Sequence, residues 1–267
     1  KIIMELFGYA SLIGVGLLLG IMGGGGSILS VPILVYLFSL DVVVASSYSL
    51  FIVGSTSVVG TALKHRDRFI DIPAALQLGV PSLLVTFCTR KWIVCSIPDV
   101  LFMVGSISVT RRALLLSVFA LVVIISSVMV VRSKQSTRED STSRPNPLAL
   151  ILAGLGVGFL SGLAGVGGGF LILPALMFFG GLRFNVAVGS ALPIIAMNSL
   201  VGFLGGVYSH PVNWLFLTSI SMLATFGIFI GDLFASRFSP NTLKRIFGWS
   251  ALVLGIWILV KEWRCGS

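Results

Sequence analysis

Apolar residues gather into ten runs along this chain. They are Leu6 to Ile21, Ile28 to Phe38, Val42 to Leu63, Pro73 to Thr89 and Ala113 to Val131, then Leu148 to Leu163, Phe170 to Phe179, Phe184 to Val207, Trp214 to Ala235 and Leu243 to Val260. Several are long enough to cross a hydrocarbon core of about 30 Å, which takes roughly 20 helical residues. The pattern predicts an all-α polytopic membrane protein. A polar tract at 132–147, rich in charge, Ser/Thr and proline, buries nothing and reads as a linker. It separates a first transmembrane repeat, 1–131, from a second, 148–264. The stretch Ile97 to Val109 lacks a counterpart of equal length and is too short to span; it is expected to form an interfacial or partly inserted helix.

A shift of 142 residues lays the second half on the first without a gap over roughly sixty positions. Gly14-Val15-Gly16 falls on Gly156-Val157-Gly158. The same register pairs Gly20 with Gly162, Gly23 with Gly165, Gly25 with Gly167, Gly26 with Gly168, Pro32 with Pro174, Ala45 with Ala187, Ser57 with Ser199 and Gly60 with Gly202. The matched prolines argue for duplication over the chance coincidence of glycines.

Each half carries a glycine cluster inside apolar sequence, Met22 to Pro32 and Ala164 to Pro174. The runs on either side are short, so each cluster is expected to separate two half-length helices. If the chain turns back at the cluster, each half has three further full crossings and the repeats are inverted; if it continues, the repeats are parallel. The 18 Lys and Arg residues divide 11 to 7 in the first case and 10 to 8 in the second, which hardly discriminates. The inverted arrangement is the one expected here.

Non-helical backbone at membrane depth is tolerated where it is buried in protein or lines a wet cavity. The short helix after each cluster points unpaired N–H groups and the positive end of its dipole at the break, which suits an anion. Paired glycine-interrupted segments in two halves are the sequence mark of a transporter's central site. The candidate substrate-binding residues are Gly23, Gly25, Gly26, Ser27, Ile28 and Ser57 from the first half. Gly165, Gly167, Gly168, Gly169, Phe170, Asn198 and Ser199 come from the second. The plainer reading is that such glycines let helices approach closely and that Ser and Asn bind helices together.

Composition agrees with a bilayer and narrows the chemistry. Mean hydropathy is +1.07, with 56% hydrophobic and 10% charged residues, against roughly 25% charged in soluble domains. A formal charge of +9 does not point to nucleic acid, because the basic residues sit at segment ends and in loops, as topology determinants do. Arg90 and Lys91 fit that rule, with attraction of anions to a mouth as the other reading. Asp232 either pairs with Arg237 or carries a coupling proton. The cysteines, Cys88, Cys95 and Cys265, form no CxxC pair, and His65 and His210 lie in loops, so neither a metal site nor a cofactor is expected. Ser161, within GFLSG, has no general base at its depth, and no phosphate-binding GxxxxGK[ST] occurs; enzymatic activity is not expected.

The spacing G-x-G-x3-G-x2-G-x-G-G-x5-P, present in both halves with a basic loop after the third apolar segment, resembles the TauE/SafE family of sulfite exporters, also called the toluene sulfonate uptake permease family. The resemblance covers nearly the whole chain. It implies transport of a small sulfur oxyanion or organosulfonate across the bacterial plasma (inner) membrane, by alternating access or, in the rival reading, through a passive anion channel. One position departs from the pattern: Ser27 stands where the second half has Gly169. Cargo, direction, proton or ion coupling and homo-oligomeric state stay open.

Overall fold

The computed structural model describes residues 2–22, 26–65, 70–94, 96–98, 100–104, 107–132, 146–165, 167–206, 212–235, 237 and 240–265. The first half contains α1 (Ile2–Met22), α2 (Ser27–Tyr36), α3 (Val42–His65), α4 (Ile72–Cys88) and α5 (Arg111–Arg132). The second contains α6 (Pro147–Ala164), α7 (Gly169–Phe178), α8 (Phe184–Gly206), α9 (Trp214–Ala235) and α10 (Pro240–Cys265). Among the described residues six helices are long and apolar enough to span, so the chain is a multi-pass membrane protein. The spans of α3 and α8 are each 72% buried, whereas α4 with its continuation is 33% and α9 39%, so α3 and α8 form the centre and the others face lipid.

Helix directions follow from backbone contacts at glycines. On α6, Gly154 abuts Leu78 of α4, Gly158 abuts Ser82, and Gly162 abuts Thr86 and Thr89, so α4 and α6 run parallel. On α1, Gly16 abuts Ala224 and Gly20 abuts Ile228 and Asp232 of α9, so that pair is parallel too. Between α3 and α8, Gly206 meets Ser47, Gly54 meets Leu200 and Gly60 meets Leu192, which makes them antiparallel. These close approaches have a physical cause. Lipid tails are as apolar as leucine, so helices associate in membranes through tight packing, and small residues allow it.

The chain reverses at both breaks. Gly26 lies against Val15 and Leu19 of α1, and a side chain there would collide with the Val15 carbonyl oxygen. Had the helix continued, Val15 and Gly26 would stand about 16 Å apart at 1.5 Å per residue. Likewise Gly168 lies against Ser161 of α6. Each break is therefore the tip of a helical hairpin. The α1–α2 hairpin opens at the face where α3 begins, here the proximal face. The α6–α7 hairpin opens at the opposite, distal face, where α8 begins. Insertion from opposite faces is the inverted arrangement.

Only the second arm of each hairpin is short. α1 has 21 residues and α6 has 18, against 10 for α2 and for α7, which corrects the expectation of two half-length helices at each break. α1 begins at Ile2, ahead of its apolar run, and α6 takes in Pro147 and Ala164 at the two ends of its run. A second correction concerns 97–109. Val100–Val104 (β1) and Ile107–Thr110 (β2) pair antiparallel in register Val104 to Ile107 and Val100 to Thr110, forming a hairpin rather than a helix. The cause is legible afterwards: Val, Ile, Phe and Thr favour strands. Among the described residues the class is otherwise all-helical.

The same hydrogen bonds recur at a spacing of 142 residues. The Asn213 N–H donates to Tyr48 Oη at 2.8 Å and the Asp71 N–H to Ser190 Oγ at 2.8 Å. Asp71 accepts from the Ala74 N–H as the N-cap of α4, and Asn213 from the Phe216 N–H at the start of α9. Packing recurs as well: α1 lies along α9 and α6 along α4, α2 on α3 and α7 on α8. The long arm of each hairpin therefore packs on a helix of the other half.

Two outcomes are expected. Gly16→Val and Gly158→Val should lower thermal stability in detergent by an overpacking cost of about 1–3 kcal/mol or more, while Gly14→Ala and Gly156→Ala, which meet nothing within 4 Å, should be neutral. With the native cysteines replaced, Ser96→Cys and Asn146→Cys should react with a membrane-impermeant thiol reagent from opposite faces. Labelling of both from one face would exclude the inverted arrangement.

Candidate functional site

The second break can be read residue by residue. Gly165 ends α6 at φ 67°, its N–H bonded to the Ser161 carbonyl at 2.9 Å, and Gly167 and Gly168 follow at φ 69° and 70°. Three left-handed residues within four positions need glycine, since each costs a side-chain-bearing residue roughly 1–2 kcal/mol. Space is equally short. A side chain at Gly165 would collide with Ser46 and one at Gly167 with Ser199 Oγ, while a methyl at Gly168 would stand 2.9 Å from Ser161 Oγ. Gly168 caps α7 without a side-chain bond, and its carbonyl accepts from the Leu171 and Ile172 N–H groups at 2.8 Å each. The first N–H groups of α7 thus point into the turn, with the dipole's positive end.

Two hydroxyls flank this turn without a protein partner. Ser199 Oγ touches the Gly167 position and Ser161 Oγ the Gly168 position; both residues are 0% exposed, and neither oxygen is hydrogen-bonded within the protein. Their glycines have Cα atoms about 3.8 Å apart. Among the described residues several buried hydroxyls bond back to their own helix, as Thr56 does to Ile52 at 2.6 Å and Ser127 to Val123 at 2.6 Å. A buried hydroxyl left unmatched costs about 1–3 kcal/mol and calls for an explanation.

The first break is described from Gly26 onward; Gly23 and Gly25 lie outside the described residues. Ser27 and Ile28 are buried at the start of α2. One turn on, Ser30 Oγ donates to the Ser27 carbonyl at 2.7 Å and lies 2.6 Å from Ser49 Oγ. α2 and α7 run in opposite directions and touch, and their beginnings lie near the middle of α3: Ser30 meets Ser49, and a methyl at Gly167 would stand 3.4 Å from Val53 Cγ1. Phe170 is 0% exposed, and its carbonyl accepts from Ser126 Oγ at 2.7 Å, which anchors α7 to α5.

The structure sorts the remaining candidates. Ser199 faces the turn and Ser57, 0% exposed, has a hydroxyl oxygen with no protein partner. Asn198 instead donates through Nδ2 to Ser82 Oγ at 2.7 Å, tying α8 to α4 beside Gly158, while its Oδ1 has no protein partner. Sequence reasoning weighed Ser161 as a protease nucleophile alone; its place beside Gly168 appears only once α7 folds back on α6. It also read Arg90 as a topology determinant. Arg90 is 1% exposed, deep within the protein, whereas Lys91 is exposed and rests its Nζ 5.6 Å over the Phe87 ring.

Opposed helical hairpins among long apolar helices are an architecture found in membrane transport proteins. A family model described as sulfite exporter TauE/SafE matches residues 9–258, and the chain belongs to that family. It is similar to a probable membrane transporter protein of Xylella fastidiosa strain 9a5c, 27% identical over 93% of this chain and 92% of the relative. It is also similar to one of Methanocaldococcus jannaschii, 27% identical over 93% and 94%, and to one of Haemophilus influenzae, 24% identical over 92% and 94%. No solved structure matches the chain.

Removing an unmatched hydroxyl should not weaken the fold. Ser199→Ala and Ser161→Ala are expected to leave thermal stability unchanged or raise it by up to about 1–3 kcal/mol, read as a melting curve in detergent. Gly168→Val, β-branched at a left-handed φ, should destabilise the protein outright.

Proposed function

We propose that the chain carries sulfite, or a related small sulfur-containing anion, through a site between the two breaks, exposed to each face in turn. The observation that carries this reading is the pair of buried, unmatched hydroxyls, Ser161 and Ser199, against a turn from which α7 begins. A dipole end acts as roughly half an elementary charge. Together with N–H groups and hydroxyls it can replace an anion's water without holding the anion too tightly for release. Ser57, Ser27 and Ile28 from the first half, with Gly169 and Phe170 from the second, complete the proposed shell.

In this reading the two halves are homologous, 1–131 and 148–264 joined by 132–147, but they are not the bodies that move. α1 is locked to α9 and α6 to α4 through glycine contacts. The natural rigid units are therefore α1–α2 with α9 and α6–α7 with α4, each mixing both halves, with α3 and α8 sliding between them.

Purified protein in liposomes tests this. Sulfite uptake should saturate and show counterflow, with thiosulfate, sulfate, sulfoacetate and chloride as competitors ranking the cargo. Ser199→Ala and Ser57→Ala should each weaken sulfite affinity by roughly tenfold to a hundredfold, about one hydrogen bond to a charged group. Non-saturating flux without counterflow would instead mean a channel, and sulfite that neither binds nor crosses would refute the substrate.

A further inference from the structure

Arg90 lies in a π-helical segment, Thr89–Val94, that continues α4 at its proximal end. One guanidinium nitrogen, Nη1, donates to Ser46 Oγ at 2.9 Å and the other, Nη2, to Ser47 Oγ at 2.9 Å. Both hydroxyls in turn donate to the Val43 carbonyl, so they act toward Arg90 as acceptors. A methyl at Gly165 would stand 3.2 Å from Nη1, and one at Gly206 3.5 Å from Nη2. A full positive charge is thus held against the first residue of the glycine turn, on its proximal side. From there the turn descends toward Gly167, Ser199 and the middle of α3.

We propose that Arg90 is the charge-selecting residue of the anion path, meeting the anion between the proximal face and the glycine turn. This rests on the reading that an oxyanion binds at that turn. Burying an arginine is costly, and ionisable groups at membrane depth are retained where they serve a path or a partner. The guanidinium presents a planar fork of donors that matches two oxygens of one oxyanion, whereas a spherical halide can use it only as a charge. The position is also one-sided. The 142-residue register places Asp232, not a second arginine, opposite Arg90, and its backbone N lies 2.8 Å from where a side chain at Gly20 would stand, at the other hairpin. A cation needed only to satisfy the carboxyl end of α6 would have a counterpart at α1.

The experiment compares wild type, Arg90→Lys and Arg90→Gln in liposomes, measuring sulfite KM and kcat and the preference for sulfite over chloride, alongside melting temperature in detergent. Arg90→Lys keeps the charge and loses the fork. It should keep anion over cation preference while the sulfite-over-chloride ratio falls about tenfold. Arg90→Gln should raise the sulfite KM roughly tenfold to a hundredfold, the range for one charged hydrogen bond, with a smaller change in kcat. A folded Arg90→Gln protein with wild-type KM and selectivity overturns the proposal. So does a loss of flux in both variants that follows the fall in melting temperature with KM unchanged, which would make Arg90 a structural cap of α6. If Arg90→Gln is without effect while Ser199→Ala still weakens sulfite, this proposal fails and the central site stands; if wild type neither binds nor carries sulfite, the site reading fails first.

Discussion

Helices in hydrocarbon gain nothing by hiding from the solvent around them, so what holds this protein together is the close approach of bare backbone. Gly16 and Gly20 on α1, with Gly227 and Gly231 facing them on α9, bring two main chains together where any side chain would collide with a carbonyl. Gly154 and Gly158 do the same for α6 on α4. These contacts fix how deep each hairpin sits, and the depth places the beginnings of α2 and α7 at the level of mid-α3. Looser packing there would leave a glycine-rich turn with no defined neighbours.

The turn itself runs against the stability of the fold. Left-handed glycines surrender much conformational freedom on ordering, and hydroxyls stripped of water without a partner are a net cost. Proteins keep such features where their function uses them. Elsewhere the described chain is more orthodox: hydroxyls such as that of Thr56 bond back to their own helix, and helix starts such as Asp71 and Asn146 are capped.

Much of this was legible in the sequence. Helix positions were, because runs such as Val42 to Leu63 and Phe184 to Val207 are long, apolar and bounded by polar residues. The breaks were legible because clustered glycines permit the left-handed backbone and close approach that other residues resist. The strands at 100–110 were not, since a short apolar stretch shows no period that separates helix from strand. Nor was Arg90. A basic residue at the end of an apolar run looks like a topology signal until α3 and α8 are seen to close over it. The pairing of Ser161 with Gly168 needed the fold as well, because nothing in GFLSG says that the chain will return past that serine.

The exchange of partners between the halves also sets an order of events during synthesis. α1 is made first, yet the helix that receives its glycines, α9, begins at Trp214. At 5–20 residues per second, the ribosome needs roughly 10–40 s to deliver it. Throughout that interval Gly16 and Gly20 face lipid, or borrow another neighbour, with a groove shaped for a helix that does not yet exist. The nascent first half is therefore an open half-clasp, and the cell must shelter it until α9 arrives.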